Sequence, residues 1–226
     1  MVNGPLMKLM YKRFAWIYWF LLAFLLVGWG AILFFSVDAM PMHFEKHPFF
    51  SMGLFLALIW GAGIFTREFR QGGLMEFVMA RPVSRGEFFN TVLLSAVIPM
   101  LVLMFMPVIY VITLYPWFDF TLPLYRLLLM CLIAAAWVVV ILLLGINIGL
   151  FAAAHSSRRY GRAVSTFILA MLVAVFINMN NIILQPGPAN PGWIALYHPL
   201  PALAAALPAA GLLYCLGRRR VDRMDI

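Results

Sequence analysis

Charge is what this sequence has least of. Lys, Arg, Asp and Glu make up 11% of its 226 residues, against 65% hydrophobic residues, and the mean hydropathy is +0.98. Ordinary soluble domains are roughly a quarter charged, so the apolar residues of this chain serve to span lipid, and no segment is left over to fold as a separate soluble domain. Acidic residues are scarcer still, eight against 16 basic ones. Cysteine is limited to Cys131 and Cys215, both inside apolar runs and neither in a CxxC pair, which excludes a disulfide framework and predicts packed thiols. Catalytic signatures are missing as well. The sequence contains no GxxxxGK[ST] phosphate loop, no HExxH and no GxSxG, and Gly28-Trp-Gly30 and Gly61-Ala-Gly63 lack the third glycine of a dinucleotide fingerprint.

What is present is a series of apolar runs. A helical crossing needs about 20 apolar residues to match a hydrocarbon core about 30 Å thick. Runs at 14–35, 49–65, 89–115, 127–154, 164–184 and 202–216 predict an all-α membrane protein with six transmembrane helices in a single transmembrane domain, residues 1–226. Before the first run, Leu6, Met7, Leu9, Met10 and Phe14 give residues 1–13 one apolar side, the pattern of a short interfacial helix leading into the membrane. Gly53, Gly61 and Gly63 offer close helix contact in the second span. Pro99 and Pro107 are expected to kink the third. Trp117, Phe118 and Tyr125 mark an interface. The Pro- and Gly-rich segment 185–201 is too broken to span and has room for a small re-entrant element at 193–197.

The basic residues divide unevenly between the two sides that six spans define. Lys8, Lys12, Arg13, Arg67, Arg70, Arg81, Arg85, Arg158, Arg159, Arg162, Arg218, Arg219, Arg220 and Arg223 fall on one side, and only Lys46 and Arg126 on the other. By the positive-inside rule both termini are cytoplasmic, and the chain is a multi-pass protein of the cytoplasmic (inner) membrane. Clustering at span ends, rather than along one face, is also why the net charge of +8 does not point to nucleic acid.

Three polar constellations have alternative readings. The outer loop carries Met40, Met42, His43 and His47, thioethers and imidazoles of the kind that suit copper; the other reading is interfacial methionines beside solvated histidines. Asn178, Asn180 and Asn181 in the fifth run either bond across helices or at the outer boundary, or line a substrate path. Ser84 and His155 share the cytoplasmic face, which allows a Ser-His pair, with no carboxylate nearby to orient it. Spans one to four hold almost no ionisable side chain at mid-span, which argues against an ion-coupled carrier.

The stretch 66–90, TREFRQGGLMEFVMARPVSRGEFFN, stands apart as a charged segment between two apolar runs. Leu74, Phe77 and Val78 form one apolar stripe opposite Arg70, Gln71 and Glu76, so an amphipathic cytoplasmic helix is predicted from Glu68 to Met79. A turn at Arg81-Pro82-Val83-Ser84 follows. Ser84 and Glu87 then have the spacing of a capping box that opens the third span.

Glu68, Gly72, Glu76, Pro82, Val83, Ser84 and Arg85 match, in order, the loop between spans two and three of the type-2 ABC transporter permeases, and the segment resembles that loop. Gly73 stands where that family usually has Thr, and Thr91-Val92 where Gly-Lys is common. The basic Arg218-Arg219-Arg220 tail, the closing Asp225-Ile226 and the six-span layout are similar to the same family. The resemblance implies a coupling helix between spans two and three that docks in a cytosolic ABC ATPase dimer, with a second permease copy completing the transporter in the lipid bilayer. It implies coupling roles for Glu68, Arg70, Gly72, Gly73, Glu76, Arg81, Pro82, Ser84 and Arg85. It also implies no catalytic residue and no cofactor on this chain, ATP and magnesium being held by the partner, and an exporter more than an importer. A reading of another class is a membrane scaffold or assembly protein that recruits a cytosolic partner without transport.

Overall fold

The computed structural model describes residues 3–16, 18–20, 22–23, 26–27, 48–70, 83–114, 124–154 and 199–223. All the regular structure among them is α-helical: α1 (Gly4–Arg13), α2 (Pro48–Arg70), α3 (Arg85–Leu114), α4 (Leu124–Ala154) and α5 (Pro199–Arg223). Helical residues also recur at 15–16, 18–20, 22–23 and 26–27, inside the expected first span. Among the described residues, three stretches are long and apolar enough to cross a membrane: Arg85–Met106, Cys131–Phe151 and Leu200–Arg223. A shorter apolar stretch, Gly53–Ile64, lies within α2. The expected run at 164–184, the re-entrant element at 193–197 and the loops 36–47 and 116–123 lie outside the described residues.

Two helices clearly outrun the hydrophobic runs that announce them. The second span was expected to end at 65 with a break before the amphipathic helix; instead α2 continues without interruption through Thr66–Arg70. The last span was expected at 202–216 with a separate basic tail; instead α5 runs from Pro199 to Arg223 and takes the arginines into its final turns. The reason is common to both. Hydropathy reports what lipid tolerates, whereas Glu, Arg and Leu are all good helix formers whether or not lipid surrounds them. Pro199 and Pro201 are accommodated in the first turn of α5, where the N–H groups have no helical partner to lose. The third helix runs through both Pro99 and Pro107.

The helix α1 departs from the sequence reading in its surroundings. Its apolar side was expected to face lipid at the interface. In the structure Leu6 and Met10 are fully buried, Phe14 is nearly so, and all three belong to the main core, where α1 packs on α3. Asn3 caps α1 by accepting from the Leu6 N–H at 3.1 Å, and its own N–H donates to the Thr91 hydroxyl at 3.0 Å. Phe14 closes on Trp60 of α2 edge-on, with ring centroids 4.9 Å apart.

The bundle is built around α3 and α4. Helix α4 packs against α2, α3 and α5, and α3 additionally against α1 and α2. The α2–α4 contact is the closest. A Cβ on Gly61 would strike the Leu142 carbonyl, one on Gly145 would come within 2.5 Å of the Leu58 carbonyl oxygen, and one on Gly149 within 2.5 Å of that of Ala62. These small residues bring two backbones together, as membrane helices require where burial of greasy side chains gives no gain over lipid. Gly53 makes room instead for the Met104 side chain of α3, while a Cβ on Gly63 meets nothing within 4 Å. Leu58 beside Gly145 and Ala62 beside Gly149 make α2 and α4 parallel. The pairs Asn90–Tyr214 and Arg85–Asp222 make α3 and α5 antiparallel. Hence α2, α4 and α5 all finish where α3 begins.

Candidate functional site

That shared end of the bundle gathers most of the described polar chemistry. The start of α3 is fixed by a reciprocal cap: the Glu87 N–H donates to Ser84 Oγ and the Ser84 N–H to Glu87 Oε2, both at 3.2 Å. Two orphan donors of the first turn are satisfied at once, as the spacing predicted. One turn on, the Thr91 hydroxyl donates back to the Glu87 carbonyl at 2.7 Å while accepting from Asn3, so α1 is pinned to the same turn.

Helix α5 is attached to this end by a set of side-chain bonds, all at or beyond Leu213. The Arg85 guanidinium donates to the Asp222 carbonyl near the described end of α5. Arg218 lies against Gly86, 3.4 Å from where a Cβ would stand. The Tyr214 hydroxyl donates to Asn90 Oδ1 at 2.8 Å, with its ring 5.6 Å from that of Phe89. Gly217 leaves room for Phe89: a Cβ there would come within 2.9 Å of the ring.

From α4, buried Asn147 reaches the same place. Its Nδ2 donates to the Leu213 carbonyl and to the Leu143 carbonyl of its own helix, both at 2.9 Å. Arg220 returns the contact by donating to the Asn147 backbone carbonyl at 2.6 Å, with its guanidinium 5.8 Å above the Phe151 ring. Asn147 Oδ1 has no partner among the described residues.

The surface so formed is basic. Lys8, Lys12, Arg85, Arg218, Arg219, Arg220 and Arg223 are exposed around it, with Glu87 and Asp222 the described acidic residues in their company. Among the described residues no group of three or more His, Cys, Asp or Glu is brought together. The arrangement is a hydrogen-bonded, electropositive platform at the end of a helical bundle.

The sequence-derived candidates divide unequally over it. Ser84 and Arg85 are at its centre. Glu68 and Arg70 occupy the last turn of α2, with their backbone described. Gly72, Gly73, Glu76, Arg81 and Pro82 lie outside the described residues, as do Met40, Met42, His43, His47, His155, Asn178, Asn180 and Asn181. The sequence reading missed Asn3, Asn90, Asn147 and Tyr214. For Asn147 a signal existed: it is the one amide side chain in the fourth apolar run, and a polar group there needs a partner.

The chain matches no protein-family model, no curated protein and no solved structure.

Proposed function

We propose that this chain is the membrane-spanning permease subunit of an ATP-driven transporter, coupled through residues 66–85 to a separate cytosolic ATPase subunit. The observation that carries the reading is how that segment is bounded. Helix α2 carries it outward without a break to Arg70, and α3 takes it back through the Ser84–Glu87 cap, at the same end that holds α1 and the last turns of α5. A push on a segment held between two stiff helices is transmitted to both as a rigid-body movement.

The helix directions support the six-span plan. Ala154 ends α4 at the basic end and Pro199 begins α5 at the other, and the chain passes likewise from α1 at the basic end to Pro48 at the far one. In this reading the apolar runs at 14–35 and 164–184 are the crossings that join each pair of ends. The excess of Lys and Arg at that end supports a cytoplasmic orientation for it. In this reading the protein resides in the cytoplasmic membrane, pairs with a second permease copy, and leaves ATP and magnesium to its partner. Transport outward suits the family that the 68–85 pattern resembles.

The test is co-purification from the native membrane followed by an ATPase assay. An associated ATPase whose turnover falls out of step with transport in Glu76→Arg and Gly72→Trp, with both variants still inserted, is the expected result. Wild-type coupling in both variants, or recovery of a soluble partner with no ATPase activity, overturns the reading, and the second outcome favours a scaffold. A periplasmic reporter fused after Ile226 should be silent.

A further inference from the structure

We infer that the outer face of α5 carries a binding lane for a single anionic phospholipid, with its headgroup held by Arg219 and Arg223. Three observations converge on it. The first is the division of labour among the arginines. Arg218 is turned onto Gly86 of α3 and Arg220 onto Asn147 and Phe151 of α4. Arg219 and Arg223 are exposed and have no partner among the described residues. Asp222, the only acidic residue of α5, is exposed, and its backbone carbonyl accepts from Arg85.

The second is what lies in line with them. Residues three and four apart share a helix face, so Ala205, Pro208, Leu212 and Leu216 continue the line of Arg219 and Arg223 along α5. All four are exposed, Leu212 at 64%. The opposite face, with Ala206, Gly217 and Val221, is the one buried in the bundle. The lane is thus apolar for most of its length and cationic at its end.

The third is its length. At 1.5 Å per residue, Pro208 to Arg219 covers about 16 Å, close to one leaflet of a hydrocarbon core about 30 Å thick. An acyl chain lying on Leu212 and Leu216 therefore brings a phosphate level with Arg219, and Arg223 one turn further out closes on the same charge. A zwitterionic lipid fits the apolar lane equally well but brings its own cation to the two guanidiniums, so the site discriminates by net headgroup charge. The inference requires a bilayer and does not depend on transport.

Cys215, exposed at the edge of the lane, gives a local probe, and Cys131 is fully buried. The experiment labels Cys215 with a fluorophore and reconstitutes the full chain into phosphatidylcholine vesicles holding a minor fraction of brominated phosphatidylglycerol or brominated phosphatidylcholine. The anionic lipid is expected to quench well beyond its share. Its relative association constant should fall about fivefold for each charge removed in Arg219→Gln and Arg223→Gln, alone and combined. Lys8→Gln with Lys12→Gln removes equal charge from the same end and should leave the constant unchanged. Equal quenching by the two lipids overturns the proposal. So does an equal loss in the two double variants, which would reveal a diffuse surface potential. An unlabelled Cys131 certifies that each variant is folded.

Discussion

Asn147 on α4 donates from Nδ2 to the Leu213 carbonyl on α5 at 2.9 Å, and its Oδ1 is left without a described partner. The side chain is half satisfied inside an apolar helix pair. Hydrogen bonds between membrane helices average about 0.6 kcal/mol and reach about 1.7, and a buried acceptor without a donor offsets part of that. Asn147→Ala, which loses the bond and leaves a gap, is expected to lower unfolding stability by about 1–2 kcal/mol. Asn147→Leu, which also removes the orphaned oxygen, should lie within about 1 kcal/mol of wild type. Unfolding in mixed micelles measures both, and a Leu variant as unstable as the Ala variant would contradict the account.

The α2–α4 seam makes a sharper demand. A side chain at Gly145 or Gly149 meets backbone, which cannot rotate away. Gly145→Leu and Gly149→Leu should each cost about 1–3 kcal/mol or more through overpacking. Gly63→Leu, two residues from Gly61 on the same helix, should be neutral because nothing stands within 4 Å. Comparable losses at Gly63 and Gly145 in the same unfolding assay would rule out a seam of backbone contact.

The cap of α3 is reciprocal, so its two halves should not be independent. Ser84→Ala is expected to cost about 1 kcal/mol, and Glu87→Ala a few tenths after Ser84 has been removed but more before. A double-mutant cycle on the purified chain measures the coupling. Strict additivity would mean that the two bonds do not act as one unit.

The two thiols should differ in reach. Cys131 is fully buried and Cys215 exposed. A membrane-permeant maleimide added to the folded protein is expected to modify Cys215 alone, and denaturant should release Cys131. Modification of both at similar rates in the folded state would contradict the packing of α4.

Much of this architecture can be read from the residues, and the failures have physical causes. Apolar runs located α3 and α4 within a few residues, because lipid demands an uninterrupted stretch of one chemical type. The Ser84–Glu87 cap was legible because it is local, its partners three residues apart. The continuation of α2 past residue 65 and of α5 past residue 216 was not foreseen, since composition that suits water does not by itself end a helix. Burial of Leu6 and Met10 against α3, rather than in lipid, has no local signal: an apolar stripe looks the same toward either. Partners such as Asn3 with Thr91, Asn90 with Tyr214 and Asn147 with Leu213 are set by how helices align, and spacing along the chain carries no trace of that. Gly145 and Gly149, four apart in an apolar run, were the missed opportunity.

The parallel course of α2 and α4 also orders events in time. A hairpin can close as soon as its second half is made, but two helices pointing the same way need a third to run back between them. Gly61 and Ala62 are therefore synthesised well before Gly145 and Gly149 exist. The seam joins positions roughly eighty residues apart, the kind of distant pairing that slows assembly. Until α4 arrives, the grooved face of α2 is open to lipid or to other nascent helices. A newly made chain is thus most open to mispairing during the interval between synthesis of α2 and completion of α4.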